Sequence, residues 1–188
     1  VVWGDSHALA IRPFADELAR ARHTIAQPMT MDSCPPLVGP IQVHPKYPLR
    51  ATRCEARNRL AIEEITQPGA FDVVVLAGRW PAYADADDRE KLATRIESTL
   101  VRLVGVPEVV LVATTPVLRH PAPTCIAAGR TDECAVPRRD FELEAEPFRR
   151  QLRALTARFP NLTVVDPTEF FCSERECPVV KDGYGLFW

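Results

Sequence analysis

A serine that follows a short apolar segment is the strongest candidate for chemistry in this sequence. Residues 3–8 read WGDSHA, in which Gly4 permits a sharp turn and Asp5 and Ser6 begin an amphipathic pattern. A serine in the first turn of a helix lies beside free backbone N–H groups, its own included, which stabilise the oxyanion formed when the hydroxyl attacks an ester carbonyl. Gly-Asp-Ser is also ordinary capping chemistry, so a purely structural turn is the alternative interpretation.

A serine nucleophile needs a base, and the sequence offers four histidines. His7 adjoins Ser6, and neighbouring residues on a helix project in different directions, so the His7 ring cannot readily reach the serine oxygen. His23 lies at the start of the second predicted strand, at the wrong edge of a parallel sheet. His44 and His120 each lie in a long loop after a strand and are better placed, but neither has a carboxylate at an evident orienting distance in sequence.

Length and composition restrict the classes of protein to consider. The 188 residues suffice for one domain with a single core, and we expect one domain over residues 1–188. The net charge of −2 and the pI of about 6.1 give no basic surface for nucleic acid. The longest apolar stretch, VPEVVLVATTPVL, is interrupted by Glu108 and Pro116 and is unsuited to crossing a bilayer.

The six cysteines indicate the redox compartment. They follow one another as pairs in Pro-rich or polar segments: Cys34 and Cys54, Cys125 and Cys134, Cys172 and Cys177. No C-x-x-C and no histidine at zinc-ligand spacing is present, so we expect no metal site. Three local disulfides in an oxidising compartment fit this distribution, and buried free thiols in a cytosolic enzyme are the alternative. Six cysteines allow 15 pairings, among which sequential pairing is preferred.

Strand and helix patterns alternate along the chain, which predicts an α/β fold with a parallel sheet covered on both faces. The predicted strands are residues 1–3, 23–29, 71–78, 108–115 and 161–166. The predicted helices are residues 7–22, 52–67, 88–104 and 141–159. Asp85 or Asp87 is expected to cap the third helix.

Three of these helices have an apolar face with a period near 3.6 residues. The residues predicted to be buried are Ile11, Phe14, Ala15 and Leu18 in the first helix, Leu92, Ile96, Leu100 and Leu103 in the third, and Phe148, Leu152, Leu155 and Phe159 in the last. Two Pro-rich connections, residues 28–50 and 114–139, are long for a compact domain. Both follow strands, so we expect both to border the pocket that Ser6 opens.

Four segments together resemble a known superfamily. They are WGDSHA, CPPL at residues 34–37, VVLAGRWPAY at residues 74–83 and FFCSERECPVVKDGYGLFW at residues 170–188. With them the chain resembles the SGNH (GDSL-like) hydrolases, and more narrowly the SGNH domain fused behind the membrane domain of acyltransferase-3 proteins, which O-acetylate bacterial surface carbohydrates. The resemblance implies a flavodoxin-like three-layer α/β/α sandwich with a five-stranded parallel sheet, and a Ser-His-Asp triad with Ser6 as the nucleophile.

The third block of the superfamily usually reads G-x-N-D, with its Asn as an oxyanion donor, whereas this chain has AGRW at residues 77–80. Arg79 has enough donors to substitute for that Asn, or to bind a sugar hydroxyl or carboxylate, and a solvated arginine at a strand end is the alternative. Trp80 and Tyr83 are candidates for stacking on a sugar ring, or else for packing.

Two further residues join this candidate site. Gly39, after the CPPL turn, is the candidate for the glycine of the second block. Asp5 belongs to the first block and is counted with the oxyanion and substrate-binding candidates.

The superfamily carries its remaining triad members in a late D-x-x-H. This chain has the cysteine-bearing and aromatic segment that precedes the motif, so we expect the Asp and His to follow Trp188. Asp182 lies in KDGYG, which is typical of a turn. Asp166, at the end of the fifth predicted strand, is expected to cap the following turn and could alternatively orient a histidine.

The expected function is that of a periplasmic domain, tethered to the inner membrane by an upstream acyltransferase domain. It would carry an acyl group, expected to be acetyl, on Ser6 and transfer it to a hydroxyl of a cell-surface carbohydrate, without a cofactor. A secreted carbohydrate esterase or deacetylase, and a non-catalytic carbohydrate-binding module with the same fold, are the alternatives.

Overall fold

Strands and helices alternate through most of the chain. The structure is a computed structural model that describes residues 1–41, 48–83, 89–181 and 184–185, with the backbone alone for residues 48, 89–91 and 184. Its strands are β1 (Val2–Gly4), β2 (Pro28–Thr30), β3 (Val73–Ala77), β4 (Glu108–Val112), β5 (Val136–Pro137), β6 (Leu162–Val165), β7 (Glu176–Cys177), β8 (Val180–Lys181) and β9 (Tyr184–Gly185). Its helices are α1 (Ser6–Ala21), α2 (Pro48–Ile65), α3 (Arg89–Arg102), α4 (Ala122–Ala127), α5 (Arg138–Thr156) and α6 (Thr168–Phe171), and a 3₁₀ turn spans Trp80–Tyr83.

The main sheet has five strands in the order β2-β1-β3-β4-β6, and every neighbouring pair is parallel. This confirms the predicted α/β class and five-stranded parallel sheet. Gly4 is in register with Thr30 on one side and with Ala77 on the other. The carboxyl ends of the three strands β2, β1 and β3 therefore meet at one edge, where open α/β sheets carry their sites.

Helices cover both faces of the sheet around β1. Val2 packs in a buried cluster with Ala8 of α1 and Ala77 of β3. Trp3, the next residue of the strand, donates from its ring N–H to Asn58 Oδ1 of α2 at 3.0 Å. Because successive strand residues point to opposite faces, α1 and α2 lie on opposite sides of the sheet.

The apolar face of α1 differs from the predicted one. Ala8 and Ala19 are buried, whereas Phe14 is 57% exposed and Leu18 is 63% exposed. Ile11 and Ala15 are partly buried against the Val2 cluster, as predicted. The face that meets the sheet is thus centred on small residues, which let the helix lie close to the strands, and the bulkier side chains lie at its margin.

The predicted face of α3 is confirmed, since Leu92, Ile96 and Leu100 are buried, as is Leu103 immediately after the helix. In α5 the predicted Leu152 and Leu155 are buried, as is Phe159 just after the helix, but Phe148 is only partly buried, and the first half of the helix buries Phe141 and Ala145 instead. Asp85 and Asp87, predicted to cap α3, lie outside the described residues.

The chain forms two compact units. The first comprises Val1–Ala113 and Gln151–Val165, and the second comprises Thr114–Arg150 and Asp166–Trp188. The first unit holds the five-stranded sheet with α1, α2 and α3, and the second holds α4, α6 and two small antiparallel pairs, β5 with β7 and β8 with β9. No helix in the described part of the chain is both long and apolar enough to span a bilayer.

The six cysteines form three disulfides, Cys34–Cys54, Cys125–Cys134 and Cys172–Cys177. The preferred sequential pairing is confirmed. The first bond joins the loop after β2 to α2, and the other two lie within the second unit.

Loss of the Cys34–Cys54 bond is expected to destabilise the protein more than loss of Cys172–Cys177. The first closes a loop of 20 residues and the second one of 5, so the chain-entropy model gives about 3 kcal/mol and about 2 kcal/mol respectively. Urea unfolding of the two double Cys→Ala variants, compared with the wild type at one pH, measures the difference. Equal losses would show that native-state packing, rather than loop closure, determines the cost.

Candidate active site

The turn between β1 and α1 is held close to the end of β3. A Cβ at Gly4 would lie 1.8 Å from the carbonyl oxygen of Ala77 and 2.9 Å from Ala8 Cβ. Only glycine fits this approach, since no real side chain tolerates a contact of 1.8 Å. Gly4 therefore allows β1 to end against β3 with Asp5 and Ser6 immediately beyond the contact.

Asp5 is a buried carboxylate with three hydrogen-bond donors. It is 1% exposed, and as the N-cap of α1 it accepts from the backbone N–H of His7 at 2.8 Å through Oδ1. Its Oδ2 accepts from the backbone N–H of Arg79 at 2.8 Å and from the Tyr83 hydroxyl at 2.6 Å. Asp5 thus joins the turn before Ser6 to the segment after β3. These three hydrogen bonds give the buried Asp5 carboxylate, which can only accept, a structural role in the turn. A contribution of Asp5 to substrate or oxyanion binding stays a prediction.

Ser6 is the first residue of α1 and is exposed. Asp5 rather than Ser6 caps the helix. The first turn of a helix carries backbone N–H groups without intrahelical partners and the positive end of the helix dipole. The serine hydroxyl therefore lies at a position suited to stabilising negative charge, at the carboxyl edge of the parallel sheet.

The three residues after β3 that were predicted as possible substrate contacts differ in their environments. Trp80 is fully buried, and its ring N–H donates to the Val112 carbonyl at 2.8 Å. Its ring has no face to offer a sugar, so the stacking prediction for Trp80 is wrong and packing is its role. Tyr83 is partly buried with its hydroxyl directed to Asp5. Arg79 is exposed, and its backbone N–H donates to Asp5. The guanidinium is therefore the hydrogen-bond donor that Arg79 could offer to a ligand.

The CPPL turn is fixed by Asn58, a residue that sequence reasoning missed. Asn58 is 2% exposed, and its side-chain amide donates to the carbonyl oxygens of Pro35 and Leu37, both at 2.8 Å, while its oxygen accepts from Trp3. A Cβ at Gly78 would lie 3.5 Å from Asp5 Oδ2 and 3.6 Å from Pro36 Cδ. The turn therefore reaches the residues around Asp5. The available signal was a polar residue four positions after Cys54, on the same helical face.

Gly39 follows this turn with a left-handed backbone, at φ 88°. It is exposed, and a Cβ there would meet nothing within 4 Å. The conformation explains the glycine as a turn residue. Its correspondence to an oxyanion glycine stays a prediction.

The histidines occupy different parts of the chain. His7 is partly buried, and burial, opposed by the charge of Asp5 and reinforced by that of Arg79, lowers its pKa below the ordinary 6.5. Its imidazole is therefore neutral at pH 7. His23 follows the far end of α1, a helix of 16 residues that rises roughly 24 Å, so it lies away from Ser6.

The two loop histidines are not brought to Ser6 by any described contact. His44 lies outside the described residues, and His120 belongs to the second unit. Asp182 is likewise outside the described residues.

Asp166 has the capping role expected of it. Its Oδ1 accepts from the backbone N–H of Thr168 at 3.0 Å, and its Oδ2 lies 2.7 Å from Arg149 Nε. The carboxylate therefore accepts from the first N–H of α6 and pairs with the guanidinium of Arg149. Within the described ranges no three His, Cys, Asp or Glu side chains are grouped as metal ligands.

Comparison with known proteins places the chain in one family. Residues 1–188 match the family described as the SGNH domain fused to AT3 domains. Neither the curated proteins nor the solved structures yield a match. The family match extends over the whole chain and agrees with the five-stranded parallel sheet and with a GDS motif at its carboxyl edge. The chain belongs to the SGNH domains that are fused to AT3 domains.

Proposed function

We propose that this domain carries an acyl group, most simply acetyl, on Ser6 and transfers it to a carbohydrate hydroxyl. The observation that carries the proposal is the exposed Ser6 at the first position of α1, in a turn that Asp5 fixes through three hydrogen bonds. Exposure gives a donor access to the hydroxyl, and the fixed turn keeps the hydroxyl beside the helix N-terminus, where an oxyanion is stabilised. The family's association with AT3 domains supports a membrane acyltransferase domain as the source of the acyl group.

The reaction has two balanced halves. A base takes the proton of Ser6 Oγ, the oxygen attacks the acyl carbonyl, and the tetrahedral intermediate collapses with loss of the donor group, which takes up a proton. An acceptor hydroxyl then gives its proton to the base and attacks the acyl-serine, which releases the ester product and restores the Ser6 hydroxyl. We propose the Ser6 N–H as one oxyanion donor and the Arg79 guanidinium as a second candidate.

The base is proposed to be the histidine of the D-x-x-H motif that the family resemblance implies. Two features of the described residues agree with this choice. The neighbouring His7 is adjacent to Ser6 on one helix and directed differently, and His23 is at the far end of α1. A neutral base near pH 7 is what general-base catalysis requires of whichever histidine serves.

The proposed compartment is the periplasm. Three disulfides among six cysteines fit an oxidising environment, and the family's fusion to AT3 domains supports tethering to a membrane. Peptide mapping of the protein isolated from cells without reductant tests this, because six alkylatable thiols would contradict it.

Trapping of the acyl-enzyme tests the proposed reaction. In the full-length protein, rapid quenching after addition of p-nitrophenyl acetate is expected to give a peptide containing Ser6 that is heavier by one acetyl group. Addition of an acceptor oligosaccharide is expected to accelerate loss of that acetyl group and to yield an acetylated sugar. Release of acetate alone, whatever the acceptor, would identify an esterase, and failure to acylate Ser6 would remove the catalytic proposal.

A further inference from the structure

The Asp5 carboxylate is buried beside the proposed nucleophile. It is 1% exposed, and no lysine or arginine side chain in the described part of the chain forms a salt bridge with it. A buried carboxylate must be compensated by hydrogen bonds, since the loss of its hydration is costly. The three donors are the N–H groups of His7 and Arg79 and the hydroxyl of Tyr83.

Tyr83 is the side-chain donor among these three. It stands 78 residues from Asp5 in sequence, and its hydroxyl approaches Oδ2 to 2.6 Å. The 3₁₀ turn that carries it is anchored by the fully buried Trp80, which is bonded to the Val112 carbonyl of β4. The turn that carries Tyr83 is therefore fixed to β4, and the Tyr83 hydroxyl in turn fixes the orientation of the Asp5 carboxylate.

We infer that Tyr83 is a positioning residue for Ser6, which it orients through the buried Asp5 carboxylate. The inference rests on the proposed nucleophilic role of Ser6. Asp5 immediately precedes Ser6 and caps the helix that Ser6 begins, so the orientation of its carboxylate constrains the backbone that directs the Ser6 hydroxyl. Small displacements of a reacting group cost large factors in rate, about 10²-fold for a shift of 1 Å.

The hydroxyl is a donor over the whole pH range in which such an enzyme works. Burial, followed by the charge of Asp5 and its hydrogen bond, raises the pKa of Tyr83 above the ordinary value of 10. The nearby charge of Asp32 acts in the same direction, and that of Arg79 acts against it. The Tyr83–Asp5 hydrogen bond therefore persists in alkaline solution, where an ordinary phenol ionises.

Replacement of Tyr83 by phenylalanine tests the inference, because it removes the hydroxyl and keeps the ring. In the full-length protein we expect kcat for p-nitrophenyl acetate to fall roughly 10- to 100-fold while KM changes less than about 3-fold. Backbone amide exchange at residues 5–9 and 78–80 is expected to accelerate. The control is Ser98→Ala, which removes an exposed hydroxyl that donates to the Thr94 carbonyl of its own helix, and both measurements should be unchanged.

A double-mutant cycle with Asp5→Asn shows whether Tyr83 acts through Asp5. If it does, the loss of kcat in the double variant is much smaller than the product of the two single losses. Multiplicative losses, or wild-type kcat and exchange in Tyr83→Phe, would overturn the inference. Faster exchange in Tyr83→Phe in a protein whose Ser6 is never acylated would instead refute the proposed function and leave Tyr83 as the residue that orders the turn.

The wild-type protein offers a test that does not depend on the folding of a variant. The sequence has three tyrosines, and ¹³C NMR of their Cζ atoms reports ionisation of each. One resonance is expected to stay in the protonated position at about pH 11 in the folded protein, above the ordinary tyrosine pKa of about 10. Ionisation of all three while the protein is folded would contradict the Tyr83–Asp5 hydrogen bond.

Discussion

Replacement of Ser6 by alanine is expected to abolish labelling by a serine-directed phosphonate and to lower hydrolysis of p-nitrophenyl acetate at least ~10³-fold. The reason is that the turn after β1 offers one hydroxyl nucleophile, exposed at the start of α1. The substitution leaves the Asp5 cap and its three donors in place, because these involve the Asp5 side chain and the backbone N–H of His7 rather than the serine hydroxyl. The variant should therefore unfold at the wild-type temperature.

Ser98→Ala is the matched control for this experiment. It makes the same chemical change on an exposed face of α3, where the hydroxyl bonds to the carbonyl of Thr94. Full phosphonate labelling is expected there. If Ser6→Ala is still labelled and mapping places the phosphonate on another residue, Ser6 is not the nucleophile.

The sheet could be predicted from the sequence because its central strands are continuous apolar runs, which are typical of parallel sheets covered by helices on both faces. Val74 and Leu76 of β3 and Val109 and Leu111 of β4 are buried. The predicted bounds of β1, β3, β4 and β6 lie within three residues of the observed ones, whereas the prediction for β2, residues 23–29, overlaps the observed Pro28–Thr30 by two residues. Disulfide pairing followed from the local grouping of the cysteines in sequence. These features depend on local composition, which a single sequence contains.

The face of α1 could not be predicted as well, because the size of a side chain and its burial are different properties. Phe14 and Leu18 have the larger apolar surfaces, but Ala8 and Ala19 are the buried residues of the helix, and Ala8 packs against Val2 and Ala77 of the sheet. Close packing against β1 and β3 selects small residues at the line of contact. Helical periodicity identifies a sector of about 100° or more but does not locate its centre within that sector.

The roles of the site residues depend on contacts between distant segments. Asp5 meets Arg79 and Tyr83 across 74 and 78 residues of chain, and Trp80 is buried because its ring reaches Val112 of the next strand. No spacing rule connects such positions. The sequence could indicate which residue types lie near the ends of β1 and β3, but only the register of Gly4 with Ala77 shows which of them touch.

Replacement of Gly4 by alanine is expected to destabilise the protein by about 3 kcal/mol or more, since overpacking a dense interior costs about 1–3 kcal/mol even where side chains can yield. At Gly4 the new Cβ would clash with a backbone atom, which cannot move aside as a side chain can. The new Cβ would lie 1.8 Å from the Ala77 oxygen and 2.9 Å from Ala8 Cβ. In addition, the φ of Gly4, 155°, is one that residues with a side chain rarely adopt.

The alanine variant must either separate β1 from β3 or bend the turn after β1. Both changes move Asp5 away from the Arg79 N–H and the Tyr83 hydroxyl, because the segment that carries these donors is bonded to β4 through Trp80 and Val112. Any Gly4→Ala protein that still folds should therefore lose activity toward p-nitrophenyl acetate together with stability. Urea unfolding and kcat measured on one preparation test both consequences.

Gly105→Ala is the matched control for Gly4→Ala. A Cβ at Gly105 would meet nothing within 4 Å, and its φ lies outside the left-handed region. Its free energy of unfolding should stay within about 0.5 kcal/mol of the wild type, as for most exposed substitutions. If Gly4→Ala unfolds at the same urea concentration as Gly105→Ala, the close approach of β1 to Ala77 is wrong, and the fixed position of Ser6 that depends on it is wrong as well.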